Sequence, residues 1–112
     1  MKSLRNSVHL IGNLGKDPEV KEVSNGNKVV KFTLATSDNY KNKNGEKVTD
    51  TQWHNLVIWG KLADVAGKYL KKGNQIAVEG KINYNEYDDK QGIHRYFTEI
   101  HVNEMVMLKT AV

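Results

Sequence analysis

Apolar residues alternate through most of the apolar runs of this chain, and one run follows a helical repeat instead. A β-strand turns successive side chains to opposite faces, so a chain written this way must bury one face of a sheet. Residues 7–13, 28–37, 52–60, 75–84 and 95–102 are predicted strands, with a last short one at 105–108. In the second run Val30, Phe32 and Leu34 share a face opposite Val29, Lys31, Thr33 and Ala35. In the fourth, Ile76, Val78, Ile82 and Tyr84 oppose Glu79, Lys81 and Asn83. The exception is 61–70, where Leu62, Val65, Ala66, Tyr69 and Leu70 recur at i, i+3, i+4, i+7 and i+8, the mark of an amphipathic helix. Lys71, Lys72 and Gly73 close it, with cations at the negative end of the helix dipole and a glycine past the last turn. Three strands, a helix and two more strands is the order of an all-β, five-stranded, partly open Greek-key barrel with one short helix. A glycine in the first strand, Gly12, suits the sharp bend such a barrel demands there.

Residues 38–50 carry no apolar period and are predicted to form a mobile hairpin finger, with Lys41, Lys43 and Lys47 around Asn44-Gly45. Turn signals at residues 24–27 and 88–92 separate the remaining runs. At 112 residues the chain has room for one domain, spanning 1–112. A hydrophobic content of 38% is low enough that some surface is expected to be buried against another copy of the chain.

Composition narrows the chemistry. The chain has no apolar run of 18 residues and no signal-peptide core, so no membrane partner is expected. It has no cysteine, which rules out disulfides and thiolate chemistry and fits a cytoplasmic location. The net charge is +4, and every basic residue except Arg5 and Arg95 is lysine. A basic balance favours polyanions, and a point-charge ammonium follows a phosphate backbone better than it reads a base edge. Enzymatic constellations are missing. His9, His54, His94 and His101 form no ligand pair, and the aspartates at 17, 38, 50, 64, 88 and 89 have no metal spacing. Two arginines are too few for a nuclease cluster. No cofactor and no catalysis are expected.

The third strand run holds both tryptophans. Trp53, Asn55, Val57 and Trp59 share one face, and His54, Leu56 and Ile58 the other. Two flat rings flanking an amide could be a platform on which nucleobases stack, worth ~1–3 kcal/mol per base, or could be ordinary core packing. Sequence alternation leaves both readings open.

Several motifs in register bring in a resemblance. Residues 12–20, reading Gly-Asn-Leu-Gly-Lys-Asp-Pro-Glu-Val, resemble the opening of bacterial single-stranded DNA-binding proteins. Thr33-Leu34-Ala35-Thr36-Ser37, Trp53-His54, Gly60-Lys61-Leu62-Ala63, Tyr69-Leu70-Lys71-Lys72-Gly73 and Val78-Glu79-Gly80 follow in that family's order, from about residue 7 to 108. The resemblance implies an OB-fold that assembles as a homotetramer and binds single-stranded DNA in replication, repair and recombination, in the cytoplasm with the nucleoid. It implies that Trp53, Trp59, Tyr40 and Tyr87 stack bases and that Lys43, Lys61, Lys71 and Lys72 follow the phosphates; from their own place in this chain, Asn55 between the tryptophans is expected to bond sugar or phosphate and Lys41 to join the phosphate path. Asn83, Asn85, Glu86 and Asn55 stand where relatives often carry cations, which predicts a shallower salt dependence. No acidic run follows residue 108, so docking of replication and repair proteins through an acidic tail is not expected of this sequence. Two other classes are weighed. A primosomal replication protein would pair as a dimer, and an RNA-binding cold-shock domain would need aromatic motifs that are missing.

Overall fold

The computed structural model describes residues 4–23 and 26–109. Six strands and one helix follow in the order β1 (Val8–Leu14), β2 (Glu19–Glu22), β3 (Lys28–Lys41), β4 (Lys47–Trp59), α1 (Lys61–Tyr69), β5 (Gln75–Asp88) and β6 (His94–Lys109). The sheet runs β1-β5-β6-β4-β3-β2, and β1 also pairs with β3, so five strands close into a barrel with β2 on its rim. Every pairing is antiparallel except a short parallel contact between β4 and β6, at Leu56 opposite Ile100 and Val57 opposite His101.

Closure depends on β1 serving two neighbours. Asn13 pairs with Gln75 of β5 and also with Ala35 of β3. A side chain at Gly12 would run into the carbonyl oxygen of Ala35, so only glycine lets the strand pass. The first strand thus serves both of its neighbours, with a glycine at the close approach.

The alternating face of each strand fills the interior. Val30, Leu34, Leu56, Ile58 and Ile76 are sealed from solvent, joined by Phe32, Val78, Ile100 and Val102. The helix covers one end of this core, burying Ala63 and Ala66 and packing on β3 and β4. Gly60 precedes it in a left-handed conformation, φ 72°, which an L side chain rarely adopts. At the other end Leu70 turns extended and Gly73 takes φ 90°, ending the helix where its cations and glycine predict.

Three elements depart from the sequence reading. Residues 38–50 form the expected hairpin finger, but most of it is paired ribbon rather than loop. β3 and β4 stay in register as far as Lys41 opposite Lys47, and only residues 42–46 turn, with the Asn42 side chain accepting from the amides of Asn44 and Glu46. β2 carries no apolar alternation and is exposed along its length, so its pairing with β3 leaves no pattern in the sequence. The two final strand runs are one strand. Glu79 pairs with Glu104 but Gly80 with Val102, leaving Asn103 as an extra residue that reverses the alternation.

Candidate nucleic-acid interface

The β3–β4 register decides what the tryptophans share. Ala35 lies opposite Trp53, Thr33 opposite Asn55, Lys31 opposite Val57 and Val29 opposite Trp59. Cross-strand partners point the same way, so all eight residues belong to one face of the ribbon. That face looks away from the core, because Leu34, Leu56 and Ile58 occupy the other.

Both indoles are open. Trp53 is 61% and Trp59 52% exposed, so neither ring is core. Six residue steps along β4 separate them, a span of about 20 Å at ~3.3 Å per residue. Trp53 lies over Gly15, where an added Cβ would stand 3.0 Å from Cη2 and closer still to Cζ3. The glycine leaves the hollow in which that ring rests. Between the indoles Val57 is buried, flanked by Lys31 on β3 and His101 on β6, and it forms the floor. Asn55 is exposed, and among the described residues its side chain has no hydrogen-bond partner. Its amide is left to bond whatever enters.

This floor opens into a groove of about 250 Å³. Lys16 and Asp17 from the turn after β1, Lys31 and Thr33 from β3, and Phe97 and Glu99 from β6 form its walls. Lys31 and Lys16 are thus groove cations that no single motif marks as such. Lys31 owes its place to cross-strand register, which sets it opposite Val57, two residues from Trp59 and four from Trp53. Phe97 is the aromatic residue the sequence does not single out. It packs edge-on against Tyr87, with ring centroids 5.7 Å apart at 69°, and so ties Tyr87 to the groove.

The other expected site residues are distributed around this centre. Lys61 is the first residue of the helix, two residues after Trp59, and is exposed. Lys71 and Lys72 lie in a loop pinned to the end of β1. The Lys72 amide donates to Asp17 Oδ1 at 2.8 Å, the Lys71 amide to the buried Asn74 side chain at 2.7 Å, and the Gly73 amide to the Leu14 carbonyl at 2.9 Å. Asp17 lines the groove, so this loop sits at one of its ends. Lys41 and Lys47 pair across the finger, and by alternation they share the ribbon face of Trp53. Lys43 stands exposed in the finger turn. Tyr40, 53% exposed, falls on the opposite ribbon face, with His54 and Thr36, and is not gathered beside Trp53.

The asparagines that replace expected cations are engaged with one another. Asn83 Nδ2 donates to Asn85 Oδ1 at 3.3 Å, Asn85 Nδ2 donates to Glu99 Oε1 at 3.0 Å, and His101 Nε2 lies 3.4 Å from both Asn83 Nδ2 and Glu99 Oε1. This polar chain stiffens the β5–β6 hairpin where it faces the groove.

The single-strand binding protein family matches residues 5–108. This chain belongs to that family. It is 49% identical over 104 residues to single-stranded DNA-binding protein 1 of Chlorobaculum tepidum, covering 92% of this chain and 64% of that protein. To the single-stranded DNA-binding protein of Neisseria meningitidis it is 48% identical over 103 residues, covering 92% and 59%. The chain therefore spans about three-fifths of the length of the curated relatives it matches. Among solved structures, the Plasmodium falciparum SSB in complex with single-stranded DNA superposes with a TM-score of 0.87 at 30% identity, covering 97% of this chain and 98% of that one. The barrel is accordingly an OB-fold. No helix among the described residues is long and apolar enough to cross a membrane.

Proposed function

We propose that this chain binds single-stranded DNA without strong sequence preference and without catalysis, by stacking bases on exposed aromatic rings while lysines follow the phosphates. The observation that carries the reading is the shared, solvent-open face of Trp53 and Trp59, with the unpartnered Asn55 amide between them. Rings of this size are costly to leave in water unless they serve a partner, and each stacked base contributes ~1–3 kcal/mol. A duplex keeps its base faces covered, so selection for single strands follows from the mechanism. Lys31 and Lys16 neutralise phosphate at the centre of the path, Lys61, Lys71 and Lys72 at the helix end, and Lys41 and Lys43 along the finger. Tyr87 with Phe97 extends the platform onto the hairpin, and Tyr40 offers a ring on the finger's far side. Replication, repair and recombination are the processes that would use such coating, in the cytoplasm with the nucleoid.

Assembly as a homotetramer is part of the proposal. Ile11, Ala77 and Val106 stand side by side across β1, β5 and β6 on the outer wall, with Ile11 59% and Val106 58% exposed. An apolar row of this kind suits burial against a second copy.

Titration with an oligothymidylate tests the reading. Emission from both indoles should be strongly quenched at saturation, and Trp53→Ala or Trp59→Ala should each cost about 1–3 kcal/mol of binding with the fold intact. Unchanged emission at saturation would refute the stacking role. Native mass tests the assembly, and a stable dimer would refute the tetramer.

A further inference from the structure

We propose that Glu99 gives the groove a base preference: its unpartnered carboxylate oxygen accepts a hydrogen bond from an exocyclic amino group, so cytosine is favoured there over uracil or thymine. The inference rests on the single-strand-binding reading above and concerns what that same groove selects.

Three acidic side chains line the groove, Asp17, Glu19 and Glu99. Two are already committed to donors. Asp17 Oδ1 takes the Lys72 amide at 2.8 Å, and Glu19 Oε1 pairs with Lys21 Nζ at 3.2 Å. Glu99 differs. Its side chain is only 15% exposed, yet no lysine or arginine pairs with it among the described residues. Oε1 carries the whole of its bonding, to Asn85 Nδ2 at 3.0 Å and His101 Nε2 at 3.4 Å. Oε2 has no partner, and no buried side-chain oxygen among the described residues is left unpaired, so Oε2 is reached by solvent on a side chain that lines the groove.

Such a group is a poor neighbour for phosphate and a good one for a base. An ionised carboxylate only accepts hydrogen bonds, and it repels another anion. The sheet order β6-β4-β3 sets Glu99 and Lys31 on opposite sides of the β4 floor. A nucleotide lying across that floor would turn its phosphate toward Lys31 and its base edge toward Glu99. Cytosine presents its N4 amino group on that edge, the usual carboxylate partner among bases. Uracil and thymine present O4 instead, an acceptor facing an acceptor. The Asn85 and His101 bonds hold the carboxylate in one orientation before the base arrives, which sharpens the discrimination. A groove of about 250 Å³ is below the ~300–1,000 Å³ of drug-sized pockets and fits one ring rather than a stack.

The test compares oligodeoxycytidylate with oligodeoxyuridylate of equal length, whose bases differ only at ring positions 3 and 4. Affinities of the full chain are read by tryptophan quenching. In Glu99→Gln the ratio of cytidylate to uridylate affinity should fall about fivefold or more, since a charged acceptor is replaced by a neutral amide that can donate to O4. A ratio within about twofold of the parent value would overturn the proposal, because charge repulsion of phosphate alone would move both ligands equally. A second arm needs no variant. On the parent chain, an oligomer of N4,N4-dimethyldeoxycytidine lacks both amino donors and should lose the advantage of cytidylate over uridylate. If it keeps that advantage, the hydrogen bond to Glu99 is refuted even where Glu99→Gln does not fold. Absence of quenching by every oligomer would instead overturn the single-strand-binding reading, and this inference with it.

Discussion

Gly15→Ala separates the stacking platform from the fold that carries it. Gly15 is not among the positive-φ glycines, and its amide donates to the Thr33 carbonyl at 3.3 Å, a bond alanine keeps. The backbone therefore accepts the substitution, and loss of unfolded-state freedom should stabilise the chain by ~0.4–1 kcal/mol, offset by the displaced ring. The new methyl would stand 3.0 Å from Trp53 Cη2, nearer to Cζ3 and 3.3 Å from Thr33 Oγ1. Carbon atoms rest about 3.5–4.0 Å apart, so the indole must retreat by about an ångström at its outer edge. Trp53 is 61% exposed and has solvent to retreat into, so the fold loses little. The platform loses its resting place. Complete loss of one stack would cost ~1–3 kcal/mol, and a tilted ring should lose about 1 kcal/mol, roughly fivefold in affinity. The assay is fluorescence titration with an oligothymidylate beside a thermal melt. The expected result is a melting temperature equal to or above the parent's, with weaker binding and reduced quenching. Affinity and quenching identical to the parent's would refute the claim that the ring's seat over Gly15 is its binding geometry. An unfolded variant would refute the claim that this glycine serves the ring rather than the backbone.

Further outcomes follow from the same geometry. Lys31→Ala should leave the fold intact and flatten the dependence of log affinity on log salt by about 0.7, one phosphate's worth for a single strand; an unchanged slope would take Lys31 off the phosphate path. Leu34→Ala, at a position sealed in the barrel, should cost about 2–5 kcal/mol in denaturant unfolding. Asp89 organises the β5–β6 turn: Oδ1 accepts the amides of Ile93 and Gln91 at 2.9 Å each, and Oδ2 accepts from Arg95 Nε at 3.0 Å. The Ile93 amide first, then Arg95, holds its carboxyl below the usual carboxylate range. Its contribution is thus present above the unfolded value and lost as pH falls through the folded one. Amide signals of Gln91 and Ile93 should loosen only in acid, below about pH 4, and Asp89→Ala should show the same loosening at neutral pH.

Where burial writes a pattern, the sequence can be read. The barrel strands and the helix are legible because Val30, Phe32, Leu34, Leu56, Ile58 and Ile76 must alternate inward and Leu62, Ala66 and Leu70 recur on a helical face, although Val65 and Tyr69 of the expected stripe stay exposed and Ala63 is buried instead. The finger's turn is marked by Asn44-Gly45, but the pairing of its strands is not, because both faces of that ribbon meet solvent and its hydrogen bonds need no apolar signature. β2 is hidden for the same reason, and Asn103 conceals the unity of β6 by shifting the alternation one residue. At the site, Trp53, Asn55 and Trp59 can be placed together because they lie on one strand. Lys31, Phe97 and Glu99 reach the groove only through pairing and barrel closure, which no local window contains. Tyr40 shows the converse limit, since family position marks it but the pleat turns it to the other side of the ribbon.

Because Trp53 and Trp59 hang from a single strand, the gap between them is a covalent measure rather than a product of tertiary packing. It can be lengthened or shortened only two residues at a time, in steps of about 6.6 Å. An odd insertion would swing one indole into the barrel and a core residue such as Ile58 out into water. Any redesign of this ruler must therefore keep its parity, whatever loops are altered around it.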